Sequence, residues 1–377
     1  MNVNSTANPL LSGIRVLDLS RLLPGPFCTL YLAQLGADVI KIEEPNGGDY
    51  TRTLSPEMFT LVNRGKKSVT LDLRKPGDVQ LFHRMVEQSD VVLESFRPGV
   101  MDKLGCGYEA LKALNPRLVY AALTGYGQSG PYRDRPGHDM NYCGYAGVLD
   151  QIGSAGGPPA PSNFQIADLA GGALTCAIGI LAAVIGAKAT GQGSMVDVGM
   201  MDGTLALQVA TLASMRTLGK APLRGEDMLS GGLPNYAIYE CADGRHLALG
   251  SLESKFFQRV CILAGRPDLL KKPFALGKAG DGLRQELVAL FKSKTRDEWD
   301  ALLAHEDSCA SAILSPDEVL RNEQVLARGL VESVGGKPAF AMPIQFSMPR
   351  LALDESPALG AHNEQVLAEF GLSRTAP

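Results

Sequence analysis

The chain has 377 residues, more than the roughly 100 to 200 of a single domain, so two domains are expected, each able to bury a core. An apolar share of 45% and a charged share of 20% are ordinary for a globular protein and exclude a disordered chain. A formal charge of −4 argues against a nucleic-acid binder, whose footprint is a basic face or stripe.

The first half alternates short β-branched runs with helical patterns, the signature of βα units around a mainly parallel sheet. GIRVLDLS reads as a strand, PGPFCTLYLAQLG as a helix opened by prolines, and ADVIKIEEP as a second strand. SVTLDL, DVVLES and LVYAALTGYG continue the strands, with PGDVQLFHRMVEQS as an amphipathic helix between the first two. This is a doubly wound, nucleotide-fold-like α/β layout. The run from Leu169 to Ala187 has 19 uncharged residues, enough by count to span a bilayer. Its Gly/Ala content, the charges of Asp168 and Lys188 beside it and the lack of an aromatic belt favour a helix buried in protein, so no membrane contact is expected. GQGSMVDVGMMDG then reads as a turn and strand leading into a helix predicted from about Asp202 to Leu218.

GKAPLRGEDMLSGGLPN is rich in Gly and Pro without periodicity and reads as a linker. From Tyr236, AIYECADGRHLALGSL has the pattern of a hairpin around an Ala-Asp-Gly turn. Helices are predicted at Lys255 to Ala264, Arg284 to Lys292, Arg296 to His305 and Pro316 to Arg328, before a strand-like tail around Met342 to Leu353 that returns to the first domain. The expected division is a large domain at 1–200, a linker helix and loop at 201–235, a smaller α+β domain at 236–325 and a return at 326–377.

Seven cysteines (Cys28, Cys106, Cys143, Cys176, Cys241, Cys261 and Cys309) are scattered, with no C-x-x-C pair or partnering histidine spacing. They read as reduced thiols, and no metal site is expected. The opening MNVNSTANPLL lacks the charged and apolar regions of a signal peptide, which points to the cytoplasm. No P-loop, H-E-x-x-H, G-x-S-x-G or G-x-G-x-x-G occurs, so the corresponding NTPase, zinc-protease, serine-hydrolase and dinucleotide readings have no motif.

Several polar residues fall at strand and helix ends. His138, in RPGHDMNY, lies in a Gly-Pro-rich turn and is one of five histidines. Such a residue is either a surface or capping histidine or an acid/base group near neutral pH. Asp168 directly precedes the Gly/Ala run, where a carboxylate could cap the helix and gain from its dipole. The glycines beside it also leave room for a ligand, and a carboxyl at an apolar helix end has a tunable pKa. Glu253, in LALGSLESKFF, sits at a strand-to-helix junction where the dipole alone favours a glutamate. Arg64, Lys66, Lys67, Arg74, Lys75, Arg97 and Lys103 cluster at strand ends, either as solvated charges or converging on a phosphate-bearing ligand.

Taken together, LSGIRVLDLSRLLPGPFCTLYLAQLGADVIKIEEP, NRGKKSVTLDL, ESFRPGV, LNPRLVYAALTGYGQSGP, QIADLAGG and GQGSMVDVGMMDG resemble the class III CoA-transferase (CaiB/BaiF-like) family over nearly the whole chain. The resemblance implies an intertwined homodimer, with the CoA site in the large domain and catalysis where the partner's small domain covers it. It also implies an acyl-CoA substrate, with coenzyme A carried by that substrate and no separate cofactor. Family transferases use one aspartate as nucleophile, the place Asp168 occupies in QIADLAGG. The racemase branch uses the same aspartate as an acid/base group, with a histidine in G-H-D-x-N-Y and a glutamate in G-x-x-E; GHDMNY supplies His138 and GSLE supplies Glu253.

The implied reaction is racemisation at C2 of a 2-methylacyl-CoA thioester by two-base proton transfer through an enolate. Its alternative is movement of CoA between an acyl-CoA and a free carboxylate by way of Asp168. In the racemase reading His138 and Asp168 serve opposite faces of the carbon, Glu253 orients His138, and the N–H of Asp139 donates to the enolate oxygen. For CoA the resemblance points to Leu71, Leu73 and Arg74, to Ser95, Phe96 and Arg97, and to Lys103 and Gly137. One position departs from the racemase pattern: the asparagine four residues before the aspartate is here Phe164, with Asn163 one residue earlier.

Overall fold

The structure, a computed structural model, describes residues 10–272 and 275–374. Residues 1–9, which hold most of the segment read for a leader, lie outside the described residues. The chain forms two compact units, one comprising residues up to 147, 162–207 and those from 328 onward, the other 148–161 and 208–327. Residues 148–161 therefore cluster with the second unit and not with the large domain expected at 1–200. The Arg224 guanidinium ties them there, donating to the Asp150 carboxylate at 2.8 Å.

In the first unit six strands form one parallel sheet: β1 (Arg15–Asp18), β2 (Asp38–Glu43), β3 (Lys67–Thr70), β4 (Val91–Glu94), β5 (Val119–Thr124) and β6 (Met195–Gly199). Their order is β3-β2-β1-β4-β5-β6, so the winding reverses between β1 and β4. The continuous apolar runs in these strands follow from burial on both faces. Leu17, Ile40, Val69, Val92 and Tyr120 join Phe82 and Met85 of helix Pro76–Val86 in one buried cluster. Helix Pro24–Gln34 is opened by its prolines, as the sequence indicates.

The Gly/Ala segment is a π-helix at Ile166–Leu174 that continues as an α-helix at Thr175–Thr190. By length and composition Ile166–Thr190 could cross a membrane, but Cys176, Ala177, Ile180, Val184 and Ala187 are buried within the unit. Helix Met200–Ala206 lies so close to the π-helix that a Cβ on Gly203 would stand 1.9 Å from the Gly171 carbonyl oxygen. Only glycine at 203 permits that approach. The single helix expected from Asp202 to Leu218 is two, Met200–Ala206 and Val209–Leu218, broken at Leu207 and Gln208.

The C-terminal segment packs along edge strand β3: the Ser68 N–H donates to His362 Nδ1 at 3.1 Å and the Thr70 N–H to Asn363 Oδ1 at 2.8 Å. No strand forms at Met342 to Leu353, where Pro343 and Pro349 lack the N–H groups a ladder needs. The strands of this segment are earlier, β10 (Val331–Val334) and β11 (Lys337–Phe340), joined through Gly335 and Gly336.

The second unit holds an antiparallel sheet of β7 (Tyr236–Glu240), β8 (His246–Gly250) and β9 (Ala310–Ala312). Tyr239, Leu247, Phe257, Phe291 and Trp299 fill its core, and the Trp299 indole N–H donates to the Phe291 carbonyl at 2.9 Å. The helix expected at Pro316 to Arg328 is two short ones, Pro316–Val319 and Glu323–Ala327. Asn322 causes the break, its Oδ1 accepting from the N–H groups of Gln324 and Val325 at 3.1 and 3.2 Å.

Candidate functional site

In an open parallel sheet, ligands bind beyond the carboxyl ends of the strands where the winding reverses. Here that place lies between the ends of β1 and β4. The chain leaves β1 through Leu19, Ser20 and Arg21 and leaves β4 through Ser95, Phe96 and Arg97. The Arg21 N–H donates to Ser95 Oγ at 3.2 Å across the gap.

The residues expected to hold CoA line this edge unequally. Leu71, just past β3, is 2% exposed and belongs to the core cluster, with Leu73 and Phe96 packed against it. Its N–H is taken by the Glu43 carbonyl at 2.9 Å. Arg74 is exposed but engaged, with Nε on Asp72 at 2.7 Å and Nη2 on Glu44 at 3.0 Å. Arg97 and Lys103 are exposed cations on the β4 side. The Phe96 N–H donates to the buried Glu94 carboxyl at 2.7 Å. Burial, offset in part by that hydrogen bond, pushes Glu94 up to about 8, with Asp102 and Asp197 adding to the rise. Neither Glu94 nor Arg21 stood out in the sequence. The usable signals were a carboxylate closing the apolar run DVVLES and an arginine directly following DLS.

A second group of residues gathers beyond β5. His138 is exposed and forms the N-cap of helix Asp139–Tyr145. Its backbone N–H is held by Asn141 Oδ1 at 3.0 Å. Gly137, the residue before it, accepts a hydrogen bond from the Tyr142 hydroxyl through its carbonyl. Tyr142 stands edge-on to Tyr126 at 5.1 Å, and its phenol is raised by burial and by the nearby charge of Asp168.

Asp139 links this turn to the π-helix. Its Oδ1 accepts from the N–H of Ala167 at 2.7 Å and of Asp168 at 3.0 Å. Asp168 is thus not the cap of its helix: the N-cap position is Gln165, and a carboxylate from another helix satisfies the orphan donors. That frees the Asp168 side chain. Burial, and then the charge of Asp139, push its carboxyl from 3.8 up to about 7. The π-helix is itself a feature found often at functional sites. Phe164 and Asn163, on the approach to it, are both exposed.

His138, Asp139, Gly137 and Asp168 are therefore neighbours within the first unit. Glu253 belongs to the second, where it is exposed and forms the N-cap of helix Ser254–Leu263. The first unit thus joins the His138 imidazole to a carboxyl raised to about 7, beside a sheet end bearing cations, an arrangement suited to moving protons on a bound anionic ligand.

Comparison with known proteins fits this geometry. The sequence pattern described as CoA-transferase family III matches residues 11–363. The chain is 37% identical to the alpha-methylacyl-CoA racemase of Homo sapiens over 373 residues, 97% of this chain and 94% of that one. It is 36% identical to the succinate–glutarate CoA-transferase of Agrobacterium fabrum over 401 residues, covering 98% of each. The crystal structure of a CAIB/BAIF family protein from Brucella suis superposes with a TM-score of 0.85 at 34% identity, covering 96% of this chain and all of that one.

Proposed function

The chain belongs to CoA-transferase family III, and from that premise we propose that it racemises C2 of a 2-methylacyl-CoA thioester through an enolate. The observation that carries this reading is the Asp168 carboxyl, raised to about 7 by burial and Asp139, in the same unit as His138. A carboxyl at that value is protonated often enough near neutrality to donate, and ionised often enough to accept.

In one direction neutral His138 takes the α-proton, the electron pair of the C–H bond moves into the thioester carbonyl, and Asp168 delivers its proton to the opposite face. His138 ends protonated and Asp168 ionised; the reverse direction exchanges the roles, and solvent restores the starting forms. The thioester acidifies the proton itself, so the step calls for no metal and no cofactor beyond the CoA of the substrate. The N–H of Asp139, at the first position of its helix, meets no acceptor among the described residues. It is available to the enolate oxygen.

Glu253 would orient His138 from the second unit of another copy in an interlocked homodimer. Supporting a second copy, helix Val209–Leu218 buries none of its residues, and its Val209 and Leu212 are 72% and 56% exposed. Apolar helix surface of this kind calls for a covering partner.

The similarity to a succinate–glutarate CoA-transferase favours a second reading, in which ionised Asp168 attacks the thioester. The two separate by trapping. Incubation with an acyl-CoA followed by hydroxylamine and intact-mass measurement should show no Asp168 adduct; an adduct formed at the rate of turnover would replace the racemase reading with the transferase.

A further inference from the structure

The loop leaving β1 is held in an unfavourable shape. Leu22 has a φ of 65°, a left-handed conformation disfavoured for a bulky side chain. Three buried charged groups brace it there. The Asp18 carboxylate accepts the Ser20 N–H at 2.9 Å, the Lys41 ammonium donates to the Ser20 carbonyl at 2.8 Å, and the Asp49 carboxylate accepts the Leu22 N–H at 3.0 Å. Lys41 and Asp49 are themselves an ion pair at 2.9 Å. Strain maintained by this much surrounding structure is a sign that the displayed residue has a task.

That residue is Arg21. Its guanidinium carbon lies 5.1 Å from the ring centroid of Tyr50 and 5.1 Å from that of Phe96, and Nη1 donates to the Tyr50 hydroxyl at 3.1 Å. Among the described residues it forms no ion pair with a carboxylate, unlike Arg74, which is taken by Asp72 and Glu44. A stacked guanidinium with one of its five N–H groups committed keeps a rigid fork of donors, the geometry that matches phosphate oxygens. Arg21 stands at the winding reversal of the sheet, where an anionic ligand is expected.

We propose that Arg21 is a phosphate clamp for the CoA portion of the substrate, gripping its 3′-phosphate or its diphosphate. The proposal rests on the acyl-CoA reading above. Calorimetric titration of the full-length protein with CoA, 3′-dephospho-CoA and pantetheine tests it, using Arg21→Ala, Arg21→Gln and Arg21→Lys beside the wild type. The Ala and Gln variants should bind CoA at least about tenfold more weakly, with Lys recovering part of the loss, since a single charge-assisted contact is of that order. If the 3′-phosphate is gripped, the deficit vanishes with 3′-dephospho-CoA; if the diphosphate is gripped, it persists there and vanishes only with pantetheine. CoA affinity in both the Ala and Gln variants within twofold of a CoA-binding wild type overturns the clamp alone. A wild type that does not bind CoA overturns the clamp together with the acyl-CoA reading.

Discussion

The Asp139 carboxylate accepts the backbone N–H of Asp168 at 3.0 Å, so the residue that follows His138 both fixes the start of the Asp168 helix and raises the Asp168 carboxyl. An Asp139→Asn variant separates these effects. Its amide oxygen can still accept the two N–H groups, while the negative charge is gone. Burial remains the larger cause of the rise, so Asp168 should fall below about 7 without returning to 3.8. The inflection assigned to Asp168 in the pH profile of kcat/KM should move to lower pH; an inflection that stays in place would show that the charge of Asp139 does not act on the titrating group.

His138→Ala should lower α-proton exchange by about 10²- to 10⁴-fold, the usual contribution of a positioned acid/base group. On the proposed reading the imidazole transfers a proton and does not hold the nucleotide, so binding of a non-reactive CoA thioester, followed by calorimetry, should change little. Glu253→Gln should slow exchange less. Undiminished exchange in the histidine variant would remove His138 from the chemistry.

Beneath the β1 loop, the Lys66 ammonium meets the Asp18 carboxylate at 3.2 Å with both side chains fully buried. Burial opposes ionisation of Asp18, but Lys66, Lys41, Ser20 and Thr29 together outweigh it and hold the carboxyl near 2. The folded carboxyl thus binds protons more weakly than the unfolded one, so its stabilisation is complete above about pH 4 and is lost as pH falls toward 2. Lys66→Met should destabilise the protein by roughly 3–5 kcal/mol at neutral pH, the cost of a buried charge left without its partner. Urea denaturation of the two proteins measures the difference, and a loss under about 1 kcal/mol would show the pair to be dispensable.

Gly203→Ala would place a Cβ against the backbone of Gly171, which cannot rotate away. A destabilisation of about 1–3 kcal/mol is expected from the forced separation, with a fall in kcat because the displaced π-helix carries Asp168. Unchanged stability by chemical denaturation would mean that the two helices do not need this approach.

The parallel sheet was legible because its first five strands lie in short, mostly apolar runs separated by helical patterns, of which helix Pro76–Val86 carries a clear apolar face. Hairpin β10–β11 has a weak strand pattern, and its signal is Gly335 and Gly336, whose φ values of 56° and 76° form the paired left-handed turn. The apolar residues of Met342 to Leu353 mimic a strand, but Pro343 and Pro349 deny that stretch a ladder. Strand β9, Ala-Ser-Ala, has little β-propensity and exists through its pairing with β8. At the site, the motifs located His138 and Asp168 but not what ties them together: a side chain capping a helix 28 residues away leaves no local trace in the sequence. That Arg21 forms no ion pair among the described residues is likewise a property of packing, since composition cannot tell which of many cations has found a carboxylate.

The racemase reading is tested most directly by proton NMR of one enantiomer of a 2-methylacyl-CoA incubated with the protein in D2O, with no carboxylate acceptor added. Deuterium should replace the C2 proton while the opposite enantiomer accumulates; in His138→Ala that accumulation should fail, and exchange should fail for the enantiomer whose C2 proton faces His138. Turnover that occurs only when a free carboxylate is supplied, with C2 still fully protonated, would contradict racemisation and leave Asp168 as a nucleophile.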